Sequence, residues 1–197
     1  TSSLSGLPNY FSLSKYLTQY GVTVEDNLVF DPKANEILPF PTQQGTVSLP
    51  YQYWPRINSV ETKISGGITT AVLPWASSIS TDNINSINIK VEHTDLLKTT
   101  ANAAVDSMYI DLSPNSDRLK TVSDIEKSER LMAVAISGKR CPPSKENCDI
   151  DSQNQFRMII IGDSQWIDDG IIQNYPQHLA LAVNWLDWLG QKDSLVS

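Results

Sequence analysis

Two unbroken apolar runs constrain this chain more than any other feature. They are Leu131-Met132-Ala133-Val134-Ala135-Ile136 and Met158-Ile159-Ile160-Ile161. A strand with one wet face alternates apolar and polar residues. Neither run does, so each is expected to be covered on both faces, as the central strands of parallel α/β sheets are. A third apolar element closes the chain. From about residue 177 to 189, Leu179, Leu181, Ala182, Val183, Trp185, Leu186, Trp188 and Leu189 leave only Ala180, Asn184, Asp187 and Gln191 as a narrow polar stripe. A helix this apolar is expected to be packed on most sides, with Trp185 and Trp188 in the core. Pro176 suits its first turn and Gly190 its end. The combination predicts an α/β fold with a mainly parallel central sheet.

The remaining stretches are read from their punctuation. Leu13, Tyr16, Leu17 and Tyr20 recur at helical spacing after Ser12, a cap candidate, and Gly21 stands where a left-handed cap ends such a helix. Val22 to Phe30 reads as extended and stops at Asp31-Pro32. Residues 32–58 contain Pro32, Pro39, Pro41, Pro50 and Pro55, and are expected to be irregular because each proline removes a backbone donor. Tyr51, Tyr53 and Trp54 in this stretch are expected to pin a long loop to the core, or else to form a surface that stacks sugars or docks peptides. Ile68 to Leu73 and Ile84 to His93 read as strands, the second alternating Ile87, Ile89 and Val91 with polar neighbours. Residues 101–130 read as an excursion with a Ser113-Pro114-Asn115-Ser116 turn cluster. The segment from Cys141 to Cys148 joins the two apolar strands like a long hairpin.

Composition narrows the function classes. The 197 residues are 40% hydrophobic and 19% charged, which is enough apolar material for a core and too little charge for a disordered chain. Fifteen basic against 22 acidic residues leave a net charge of −7. An acidic surface without a Lys/Arg cluster repels phosphate backbones, so nucleic acid is not an expected partner. No apolar stretch reaches the roughly 20 residues that cross a bilayer. Cys141 and Cys148 are the only cysteines and flank a polar loop. A disulfide closing it, an alternative to two free thiols, contributes about 2.5 kcal/mol in the chain-entropy model and persists in oxidising compartments.

The best-placed chemistry is Gly162-Asp163-Ser164, at the end of a strand expected to be central, where open α/β sheets bind ligands. Ser164 there is a candidate nucleophile for a serine hydrolase, and the triplet resembles the Gly-Asp-Ser block of a large esterase family. That family carries its block near the start of its domain and pairs it with Asp-x-x-His. Here the block is near the end, and the residues three before His93 and His178 are Lys90 and Tyr175. A relay needs a base placed to take the serine proton. The alternative role for Asp163 or Ser164 is to cap the following turn. Asp168 and Asp169 match no calcium-loop spacing. No phosphate loop, dinucleotide fingerprint or Cys-x-x-Cys occurs. The expectation is a chain with no catalytic set, no metal and no cofactor, in which Asp163, Ser164, Tyr51, Tyr53 and Trp54 are candidate ligand or partner contacts.

Four blocks then carry a family resemblance. They are LSKYLTQYGVTVEDNLVFDP at residues 13–32, PYQYWP at 50–55, TAVLPWAS at 70–77, and RMIIIGDSQW followed by LALAVNWLDWL within 157–189. In that order they resemble the extracytoplasmic domain of gliding-motility-type (GldG-like) ABC transporter auxiliary proteins. Family members often have a Gly-Asn step before the last helix, where Gln173-Asn174-Tyr175-Pro176 stands here, and the cysteine loop is a local addition. The resemblance implies a Rossmann-like, amidotransferase-like layered fold with a β-rich excursion, formed by residues 1–197 as a single domain. It implies a larger parent held by transmembrane anchors, the domain on the periplasmic face of the inner membrane, ABC permease and ATPase subunits as partners, and no catalytic residues to carry over. Membrane contact runs only through the parent's anchors, and an oligomer is compatible with this arrangement.

Overall fold

The computed structural model describes residues 13–60, 63–81, 90–107, 111–114, 126–140 and 154–190. Strand β9 (Leu131–Arg140) organises the molecule. Along one side it pairs with β7 (Lys90–Lys98). Along the other it pairs with β10 (Asn154–Ile161) and, at Leu131, with β6 (Ile79–Ser80). Beyond β6 lies β1 (Thr23–Val24), and beyond β7 lies β4 (Gly45–Ser59), flanked by β3 (Asn35–Thr42) and β5 (Thr70–Val72). A second, two-stranded sheet joins β2 (Leu28–Phe30) to β8 (Ala104–Asp106).

Every strand pairing among the described residues is antiparallel. The expected Rossmann-like, amidotransferase-like fold with a mainly parallel sheet is therefore overturned. The physical reason lies in what a continuous apolar run reports. It shows that both faces are covered, and an antiparallel strand covered on both faces looks the same. Along β9, Met132, Ala133 and Ala135 belong to a core with Leu96, Leu97, Trp166, Leu181 and Trp185, whereas Val134 and Ile136 pack with Leu17, Tyr20, Val22 and Ile160. The small alanines stand on the side that must hold two indoles. β9 and β10 do form the long hairpin expected around the cysteine segment, with Asn154 opposite Arg140. Cys141 and Cys148 themselves lie outside the described residues, as do Ile84, Ile87, Ile89, Asn115 and Ser116.

The proline-rich stretch is not irregular. β3 and β4 form a hairpin closed by Gln43 and Gln44, with Gly45 at φ 126° taking up the turn. β3 is the edge of its sheet, and Pro39 and Pro41 occupy alternate positions on it. Prolines are tolerated on an edge strand, where the missing donor faces away from the ladder. Pairing shifts between Asn35 and Glu36, so that residues 52–54 of β4 face no β3 partner. There β4 changes neighbours: Arg56, Ile57 and Asn58 pair with β5, and Asn58 and Ser59 with β7. The unpaired carbonyls are met from other segments. Gln52 accepts from Asp31 N–H at 3.0 Å, Tyr53 from Trp75 N–H at 2.9 Å and Pro55 from Leu73 N–H at 3.3 Å.

Three helices are described. α1 (Ser14–Thr18) places Leu17 on one sheet face and is followed by Gly21 at φ 73°. α2 (Asp169–Asn174) leads into α3 (Gln177–Gly190), which appears where the apolar pattern and Pro176 place it. α3 buries His178, Leu181 and Trp185. It is not packed on most sides as expected, because Leu179, Val183, Leu186 and Leu189 stand exposed.

Candidate functional site

The Gly162-Asp163-Ser164 turn is built by a close approach between two backbones. Gly162 N–H donates to Met132 C=O at 2.9 Å, and Ser77 N–H donates to Gly162 C=O at 2.7 Å. A β-carbon on Gly162 would stand 1.9 Å from the Ser77 carbonyl oxygen, so only glycine fits. The next residue, Asp163, is turned inward and is 7% exposed. One carboxylate oxygen accepts from Gln165 N–H at 2.7 Å; the other is buried with no hydrogen-bond partner. Burial, reinforced by the nearby Asp168 charge and opposed by the Gln165 and Trp166 N–H groups, pushes its carboxyl up to about 7. Asp163 thus caps the turn, the structural role weighed for it from the sequence. Ser164 is exposed.

His178 reaches the same turn from α3. It is fully buried, its Nδ1 is 2.6 Å from Trp166 C=O, and its Nε2 accepts from Val72 N–H at 3.0 Å. Accepting at Nε2 leaves the proton on Nδ1 to be donated to Trp166, so the neutral ring ties α3 to β5 and to the turn. Burial holds its pKa below the ordinary value. Tyr175 stacks on it at 5.7 Å, with Trp166 at 6.2 Å on the same ring. As folded, both nitrogens are engaged by backbone, and neither is available to take a proton from Ser164. The other histidine, His93, is exposed on β7 opposite Ile136. The structural part played by His178 was not read from the sequence. The signal was one polar residue on the Leu181 and Trp185 face of an apolar helix.

The aromatic candidates assemble where β4 changes neighbours, apart from this turn in sequence. Tyr51 and Tyr53 are core residues. The Tyr53 hydroxyl donates to Asp106 at 2.9 Å, and the Tyr51 hydroxyl donates to Leu112 C=O at 2.9 Å while accepting from the Trp75 indole at 3.0 Å. Burial pushes the Tyr51 phenol up to about 12. Trp54 and Trp75 are half-buried and perpendicular, 5.3 Å apart at 89°. Trp75 is the only described non-glycine residue at positive φ, 49°, a conformation that costs roughly 1–2 kcal/mol. Its N–H bond to Tyr53 and its indole bond to Tyr51 hold it there. The cluster anchors this stretch of β4, and its two half-buried rings present no common flat face.

Glu36 links this region to the α2–α3 junction. It is 9% exposed and accepts from Arg56 Nε at 2.6 Å and Nη2 at 3.4 Å. Tyr175 also hydrogen-bonds to it, and burial together with this carboxylate pushes that phenol up to about 12. Among the described residues no three His, Cys, Asp or Glu side chains converge on a cation position, so Asp163, Asp168 and Asp169 do not form one. No helix among the described residues is long and apolar enough to cross a membrane.

No curated protein and no solved structure matches this chain significantly. The family described as "ABC-type uncharacterized transport system" matches residues 2–196, nearly the whole length. The chain therefore belongs to that family, the auxiliary components of ABC-type transport systems.

Proposed function

We propose that this domain is a non-catalytic interaction module of an ABC-type transport system of the gliding-motility kind. It acts outside the inner membrane, on a parent protein held by transmembrane anchors, and engages the permease and through it the ATPase. The observation that carries the non-catalytic part is the state of His178. The histidine that reaches the Gly162-Asp163-Ser164 turn has its two nitrogens bound to Trp166 C=O and Val72 N–H. Nucleophilic catalysis by Ser164 requires a base within hydrogen-bond reach. Freeing this ring would leave a buried N–H and a buried carbonyl unpartnered, at a cost of about 1–3 kcal/mol each. Family membership supports the transport-system part.

Two measurements test this reading. Affinity capture of the tagged full-length parent from detergent-solubilised membranes is expected to recover permease and ATPase subunits; recovery of neither removes the transport role. Treatment of the chain with a serine-reactive phosphonate is expected to give no adduct. An adduct lost in Ser164→Ala would instead establish a hydrolase.

A further inference from the structure

The tip of the β3–β4 hairpin is exposed throughout residues 41–48, and its two edges are not alike. Pro39 lies opposite Ser48, Pro41 opposite Thr46 and Ile37 opposite Pro50. A proline cannot donate, so these are the pairs that exchange no hydrogen bond, and their backbone groups point out of the hairpin. On the β3 edge, Pro39 and Pro41 therefore present carbonyls and no donor. On the β4 edge, Thr46 and Ser48 each turn an N–H and a C=O outward, and Pro50 adds a C=O. The next outward carbonyl along that edge, Gln52, is taken by Asp31 N–H, and among the described strands β5 first pairs with β4 at Arg56. Thr46 to Pro50 is thus the open continuation of an edge that is filled farther along.

A row of outward donors and acceptors at strand spacing is met in full by another extended backbone. The side chains narrow the choice. Thr46, Val47 and Ser48 are exposed and too short to wall the pockets by which strand-binding sites select a foreign sequence. No residue from Ile37 to Pro55 is charged, so two copies meet here without the repulsion that a net −7 imposes elsewhere. The edge is also its own complement. Antiparallel pairing about a two-fold axis at Ser48 joins Ser48 N–H to Ser48 C=O of the second copy and Thr46 N–H to its Pro50 C=O, in both directions. Every outward donor is met, and the proline supplies only its carbonyl. Val47 then lies beside Leu49 of the copy, on the face where Phe40 packs on Tyr51 at 5.5 Å. The blocked β3 edge supports the same occupant. With one usable edge per hairpin, self-pairing closes at two copies, whereas two usable edges would run on into a filament.

We propose that the Thr46 to Pro50 edge of β4 is a homotypic docking edge, on which a second copy of this chain pairs the same edge antiparallel across a two-fold axis. So short an edge falls short of the ~800 Å² per partner that typical stable complexes bury, so the pair is weak and reversible. The inference does not depend on the transport partners proposed above.

Sedimentation equilibrium of the full chain, from about 1 μM to about 1 mM, tests it across the range where weak pairs form. Wild type is expected to pass from monomer to dimer and no further. Ser48→Pro removes an outward donor at a position equivalent to Pro50. It is expected to keep the melting temperature and to weaken the dimer at least about tenfold, since one bond is lost on each side of the axis. Ser48→Ala retains the donor and is expected to dimerise as wild type does. Amide exchange followed by NMR in wild type gives a readout that holds even where the proline variant loses its fold. The Thr46 and Ser48 N–H groups are expected to exchange at least about threefold more slowly at the top of the concentration range than at the bottom. A wild-type chain monomeric throughout, assembly beyond the dimer, or a Ser48→Pro dimer as tight as wild type overturns the proposal. So does equal weakening by Ser48→Ala, which assigns the effect to the hydroxyl, or a dimer whose Thr46 and Ser48 amides exchange as fast as in the monomer.

Discussion

At the scale of single residues, His178 and Asp163 give the fold opposite responses to pH. The folded pKa of His178 is depressed by burial. The unfolded chain therefore takes up a proton that the folded ring resists, and stability is complete above about pH 6.5 and declines as pH falls below it. His178→Phe is expected to cost about 2–5 kcal/mol at pH 8, since Val72 N–H and Trp166 C=O both lose their partner, and to abolish this contribution to the slope. Asp163 behaves inversely. Its folded carboxyl titrates near 7 against an ordinary 3.8. Its contribution is complete below the ordinary value and is lost as pH rises through 7. Unfolding free energies from urea titration, compared between pH 5 and 8, are expected to move in favour of Asp163→Asn relative to wild type by on the order of 2 kcal/mol. A constant difference across that range would mean that the carboxyl stays ionised when buried. In wild type the two slopes oppose each other, so the single variants reveal what the parent conceals.

At the scale of elements, close approaches and missing donors carry the design. The end of β10 lies against Ser77 with no room for a β-carbon at Gly162. Gly162→Ala must open the Ser77 contact and is expected to cost about 2–4 kcal/mol, in the range of severe steric substitutions. A loss in thermal stability below about 0.5 kcal/mol would show that the segment yields freely. β3 presents the reverse case, since its prolines deprive the sheet edge of donors that another chain could use. Pro39→Val with Pro41→Val is expected to preserve the hairpin register, which Leu38, Phe40 and the Gly45 turn maintain, while raising the rate of aggregation in light scattering. The sequence made parts of these elements legible. Asp31-Pro32 does stop β2, with the Asp31 carboxylate accepting from Lys33 and Ala34 N–H at 2.8 and 2.9 Å. Reading residues 32–58 as irregular missed that prolines exclude a central strand and permit an edge one. PYQYWP spans the point where β4 exchanges β3 for β5 and β7, and that exchange leaves no local signature.

At the scale of the whole molecule, the sheet is covered on both faces, by α1 on one and α3 with the Trp166 turn on the other. Two leucines of α3 separate the part that folds this chain from the part left outward. Leu181→Ala is expected to cost about 2–5 kcal/mol, as core truncations do, whereas Leu186→Ala is expected to stay within about 0.5 kcal/mol in the unfolding of dilute protein. Comparable losses for the two would mean that position 186 is already covered in the monomer. The amino-acid sequence by itself determined that the apolar runs of β9 and β10 belong in the sheet, where α3 begins and ends, and that β9 and β10 are joined as a hairpin. These follow from apolar runs, helical spacing and turn chemistry within a few residues. Only the tertiary structure decided that the sheet is antiparallel, that His178 is bound at both nitrogens, and that one apolar face of α3 remains open. Strand direction, buried partners and the cover on a helix depend on which distant segment arrives alongside, and an apolar side chain is equally well buried by any of several neighbours.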